Sequence, residues 1–126
     1  MRREDLERFL ENGNHLGFRK QTDSDEYLGW IILRKDKPNE RLLSLLTSGE
    51  EPEFVAEQNL IRSKPYRVVV SELQRDVYES GRYEANEDYR MSEQHIFSYL
   101  NEVEEFVQRY GHTLENIKWL IEIEAP

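Results

Sequence analysis

The chain has 126 residues, a length at which one domain hides roughly two thirds of the surface its unfolded form exposes, and its 7 Tyr, 5 Phe and 2 Trp are enough bulk for a core. Its 26 Asp and Glu outnumber 17 Lys and Arg, so a net charge of −9 repels phosphate backbones and anionic lipid headgroups. With 0 Cys, a disulfide framework, a thiolate zinc site and a cysteine nucleophile are all excluded.

No basic region followed by an apolar run opens the chain, and no apolar stretch approaches the about 20 residues that span a bilayer. The expected setting is therefore cytoplasmic, and neither nucleic acid nor membrane is an expected partner. Internal repeats, low-complexity tracts and Gly- or Pro-rich linkers are missing from the sequence, so residues 1–126 read as a single acidic α+β domain.

Residues 3–12 are predicted to open the fold as a helix, with Leu6, Phe9 and Leu10 on one stripe and Gly13 to end it. Residues 16–21 and 27–34 read as a hairpin turned by Thr22, Asp23, Ser24 and Asp25. Both faces of the second strand are apolar, which predicts a central position. The leucines of residues 41–47 satisfy either period, and hairpin proximity favours a strand there. A helix over residues 48–63 follows, with Pro52 in its first turn, and then a β-branched strand over residues 66–70.

Residues 71–91 admit two readings. Ser71 and Gln74 resemble a capping box for a short helix ending at Gly81, whereas a strand continued through Tyr78 would turn at Ser80 and Gly81 into a second strand. The clearest periodicity, Ile96, Leu100, Val103, Val107 and Tyr110, predicts a helix over residues 93–110 capped by Ser92 and Gly111. Alternation of Ile117, Trp119, Ile121 and Ile123 with polar residues predicts a closing strand. The expected architecture is a mainly antiparallel sheet of about four to six strands, with about three helices packed on one side of it.

Chemistry-bearing motifs are sparse. Neither phosphate-cradling glycine pattern occurs, and no serine is flanked by the glycines of a nucleophile elbow. His15, His95 and His112 lack metal-ligand spacing, His112 reading best as a cation at a helix end, so no metal, cofactor or catalytic residue is assigned. Charge distribution is more informative. Residues 76–105 hold nine acids (Asp76, Glu79, Glu84, Glu87, Asp88, Glu93, Glu102, Glu104, Glu105) against two bases (Arg82, Arg90), which gives 2 − 9 = −7.

Tyrosines interleave these carboxylates, a composition suited to docking a basic protein: charge speeds encounter and buried rings hold the complex. The favoured reading is a non-enzymatic binding domain that neutralises a basic partner such as a nuclease toxin, as an immunity or antitoxin protein does. Its expected anchors are Tyr78, Tyr83, Glu84, Glu87, Asp88 and Tyr89. Two alternatives are a small-molecule or enzymatic pocket between sheet and helices, lined by Trp30 and Trp119, and a subunit of a homodimer.

Overall fold

In the computed structural model, which describes residues 1–82 and 84–126, the first hairpin forms as its turn residues demand. The Thr22 hydroxyl donates to the Ser24 and Tyr27 carbonyls (2.7 and 3.0 Å), folding the chain between β1 (Leu16–Lys20) and β2 (Tyr27–Lys35). β3 (Tyr66–Gln74), β4 (Tyr89–Phe97) and β5 (Lys118–Trp119) complete a five-stranded antiparallel sheet of order β4-β3-β2-β1-β5. The α+β class holds, and β2, apolar on both faces, lies at the centre.

Side chains alternate across this sheet. On one face Leu16, Phe18, Ile31, Leu33, Val68 and Val70 pack beneath α1 (Arg3–Glu11) and α5 (Leu100–Gln108), which contribute Leu6, Leu10, Val103 and Val107. Each such side chain stabilises the fold by about 1.5–3 kcal/mol on burial. The other face is covered as well, contrary to the one-sided arrangement predicted: Leu28, Trp30 and Leu73 lie under Val77 of α4 (Arg75–Ser80) and under Ile123.

Residues 41–47, predicted as strand, instead begin in α2 (Glu40–Leu45), because Asn39 Oδ1 caps the Leu42 N–H at 3.0 Å. A strand there would have had no free edge of β2 to join, since β1 and β3 occupy both. α2 and α3 (Pro52–Ser63) together form a helical excursion between β2 and β3, tied by the Glu40–Arg62 ion pair and by Gln58 Oε1 accepting from the Asn39 N–H at 2.6 Å. Both readings of residues 71–91 contribute in part: β3 runs on to Gln74, then α4 ends at Gly81, whose φ of 71° suits a residue without Cβ.

The predicted helix over residues 93–110 starts later. Glu102 Oε1 accepts from the N–H groups of Ser98 and Tyr99, both at 3.0 Å, and fixes the start of α5 there, leaving residues 93–97 to β4. The predicted closing strand is also shorter. After Lys118–Trp119 the chain turns, Glu122 and Ile123 N–H groups bonding back to the Trp119 carbonyl, and delivers Ile123 to the second face.

Candidate docking site

One end of the sheet gathers most of the distinctive chemistry. β3 passes directly into α4, and Arg75 straps that junction to the β1–β2 turn: its N–H bonds the Glu26 carbonyl at 2.8 Å and its Nε bonds the Asp25 carbonyl at 2.6 Å. Between turn and helix opens a cleft of about 500 Å³ lined by Asp25, Glu26, Tyr27, Arg75, Asp76 and Glu79. Four acidic residues thus line a cleft with one arginine, whose guanidinium is already engaged, its Nη1 3.5 Å from Glu79, and Asp76 Oδ1 accepts from the Val77 N–H at 2.9 Å.

Beyond α4 the expected anchors divide. Glu84 and Glu87 are exposed. Asp88 is buried instead, its Oδ2 accepting from the Ala85 N–H at 2.7 Å and its Oδ1 3.6 Å from Arg82, so it shapes the loop. Tyr78 is half-buried, its ring 5.4 Å from Trp30 and its hydroxyl donating to the Glu124 carbonyl at 2.6 Å. Tyr89 packs against the same cluster and points its hydroxyl at Glu84, 3.4 Å away, and burial followed by the Glu84 charge pushes that phenol above its ordinary value. Tyr83 lies outside the described residues.

Beside the acidic cleft lies a charged network on Glu72, a residue only 3% exposed. Lys20, Gly29, Glu72 and Met91 stand in one row across four strands. Gly29 has no side chain to fill the gap, so the Lys20 ammonium crosses to Glu72; a Cβ on Gly29 would sit 2.8 Å from the Lys20 carbonyl oxygen. On the other side the β3–β4 register slips between Glu72 and Leu73, leaving Arg90 without an opposite residue. This bulge re-aims Arg90, whose Nε donates to Glu72 at 2.8 Å, whose Nη2 bonds Asp23 at 2.8 Å, and whose guanidinium lies 4.2 Å from the Tyr27 ring centroid.

Burial raises the Glu72 carboxyl, yet hydrogen bonds from Lys20 and Arg90 outweigh it and hold the group below the usual carboxylate value. Asp23 is held low by the same arginine. The network borders a second cleft, of about 560 Å³. Two cations and two carboxylates neutralise one another there, and the arrangement locks β1, β3 and β4 together.

The two indoles belong to different faces: Trp30 is wholly buried on the second, its Nε1 donating to the Ile123 carbonyl at 2.8 Å, while Trp119 packs 4.6 Å from Phe9 on the first. The sheet therefore separates them. His112 stacks 4.6 Å from Phe18 and meets the Arg19 carbonyl at 2.9 Å, and His95 lies 4.6 Å from Phe106. Among the described residues no three metal-ligating side chains come together.

Sequence reasoning missed Glu26, Glu72, Lys20 and Tyr27, and it assigned Asp25 only to a turn. The pairings that define them span 52, 18 and 50 residues of chain, beyond the reach of any local pattern. No family model matches the chain, and no match is found among curated proteins or solved structures.

Proposed function

We propose that this domain is a non-enzymatic binding protein whose acidic end docks, and thereby neutralises, a basic protein such as a nuclease toxin. The observation that carries the reading is the cleft between α4 and the β1–β2 turn, lined by Asp25, Glu26, Asp76 and Glu79 with one arginine already occupied. Glu84 and Glu87 are two further exposed carboxylates in the loop that follows α4. A Lys or Arg side chain entering this cleft meets several carboxylates at once, and a Coulomb interaction near a protein surface is worth about 4 kcal/mol per pair at 4 Å before desolvation is counted. Tyr27, held by Arg90, supplies an aromatic wall for the alkyl stem of such a side chain. Tyr78 and Tyr89 support the surface from beneath, since their rings pack inward.

Binding of an oligoarginine peptide, followed by calorimetry against salt concentration, tests this reading. The expectation is an association that weakens as salt rises and is lost in the double variant Asp76→Lys/Glu79→Lys. Glu53→Lys/Glu57→Lys changes net charge equally on exposed residues of α3 and is expected to retain most of the binding. Equal losses in the two double variants would show that net charge alone attracts the peptide, and the cleft would be abandoned as the site.

A further inference from the structure

We infer that β4 is a self-complementary edge through which two copies of this chain join into one continuous ten-stranded antiparallel sheet. β4 ends the strand order, and among the described residues no strand pairs with its outer side. The opposite edge, β5, offers only two residues before the chain turns away. Natural edges are shielded by charged side chains, above all lysine, by proline or shortness, or by a bulge that twists them away; Glu93, the acid on residues 91–97, is matched by His95 in the pairing below. Past the irregularity at Arg90, residues 91–97 run without a bulge, and the segment Met-Ser-Glu-Gln-His-Ile-Phe contains neither lysine nor proline.

Antiparallel pairing of identical strands about a two-fold axis normal to the sheet places one residue opposite itself. With the axis at Gln94, all seven residues pair. Met91 of each copy then falls opposite Phe97 of the other, Ser92 opposite Ile96, and Glu93 opposite His95. Opposed residues share a face, so two apolar pairs flank two acid–histidine pairs on the helix-covered side. Glu93 and His95 pair within one chain, 3.4 Å apart, and in this register each meets the same partner type again on the second copy. An axis at Glu93 sets like charges opposite, and one at His95 wastes Glu93 on Phe97. Register is thereby specified by the side chains. Ser92, Glu93 and Gln94 are exposed, leaving the middle of the edge open to a second strand.

This surface is separate from the acidic cleft. Because Tyr89 of one copy falls level with Tyr99 of the other, the two Tyr89 ends lie about 34 Å apart at 3.4 Å per residue, and the acidic ends remain free at opposite ends of the junction. Each copy carries a charge of −9, so added salt strengthens this association while it weakens peptide binding at the cleft.

Sedimentation equilibrium of the full chain provides the test. The wild type is expected to be a dimer that tightens with salt. Gln94→Lys and Gln94→Glu each place like charges across the axis, and each is expected to raise the dissociation constant at least about tenfold. Mixing the two variants in equal amounts is expected to restore dimers, since lysine then faces glutamate. Gln94 is exposed, and a circular dichroism melt matching the wild type checks that both variants fold. A wild type that stays monomeric, variants that dimerise unchanged, or a mixture that fails to recover would each overturn the proposal.

Discussion

Replacing Glu72 by Gln keeps the side chain's size and removes its charge. The carboxylate is 5% exposed and serves two cations, Lys20 at 10% and Arg90 at 33% side-chain exposure. Breaking a buried pair by neutralising one partner costs about 3–5 kcal/mol, chiefly because the other charge stays buried. Lys20 bears most of that cost here, whereas Arg90 keeps Asp23 and solvent, so the lower figure of about 3 kcal/mol applies. A domain whose whole stability is about 5–15 kcal/mol remains folded, with its urea midpoint lowered by about 1.5 M for a slope of about 2 kcal/mol per M.

Acid should erase the difference. The folded Glu72 carboxyl is held below its ordinary value of 4.5, so as pH falls past that value the unfolded chain binds the proton first. The stabilisation is complete above that range and disappears as pH approaches the lower folded value. Protonated Glu72 then resembles glutamine, and carboxylates outside this network titrate alike in both proteins and cancel. Urea titrations of wild type and Glu72→Gln at pH 7 and pH 3.5 should show a gap of about 3 kcal/mol that narrows in acid. A gap under about 1 kcal/mol at neutral pH, or one independent of pH, would refute the account of Glu72 as a buried, ion-paired carboxylate.

Gly29→Ala should cost about 1–3 kcal/mol, because its Cβ would lie 2.8 Å from the Lys20 carbonyl oxygen and 3.0 Å from Lys20 Cβ; a stability equal to wild type in urea would show that the hairpin yields freely there. Deleting residues 120–126 removes the Ile123 carbonyl that accepts the Trp30 Nε1–H and uncovers the second face. The orphaned donor and the lost apolar burial add to about 3–5 kcal/mol, and Trp30 emission should shift to the red; emission unchanged from the full chain would contradict the role given to the tail.

Elements whose patterning agrees with their tertiary setting were legible in the sequence. α1 was predicted to within a residue, and the two apolar faces of β2 correctly implied neighbours on both edges. Boundaries failed where one residue satisfied two periods. Ile96 fits the helical series that continues through Leu100 and Val103, yet it sits on a strand opposite Arg67, and only the Glu102 cap marks the division. The C-terminal alternation was similarly ambiguous: Ile123 is buried as predicted, but by turning beneath the sheet, while Ile121 is 87% exposed. Acid content at the candidate site was visible in the sequence, but its convergence was not, because the turn at Asp25 and Glu26 meets α4 only once β2 and β3 have paired along their length.

The neighbouring network explains why that convergence leaves a negative field. Lys20 and Arg90 are cations close to the acidic end, and Glu72 with Asp23 offsets both of them, so neither is left to compensate Asp25, Glu26, Asp76 or Glu79. A buried carboxylate is a costly way to hold strands together when packed apolar groups serve as well. It has a use here if the two cations are wanted for strand geometry and unwanted as surface charge. Glu72→Gln separates these roles, since it adds one uncompensated positive charge beside the cleft. If the field matters, peptide binding weakens even at salt and temperature where the variant is fully folded; if only strand geometry matters, binding by the folded variant equals that of the wild type.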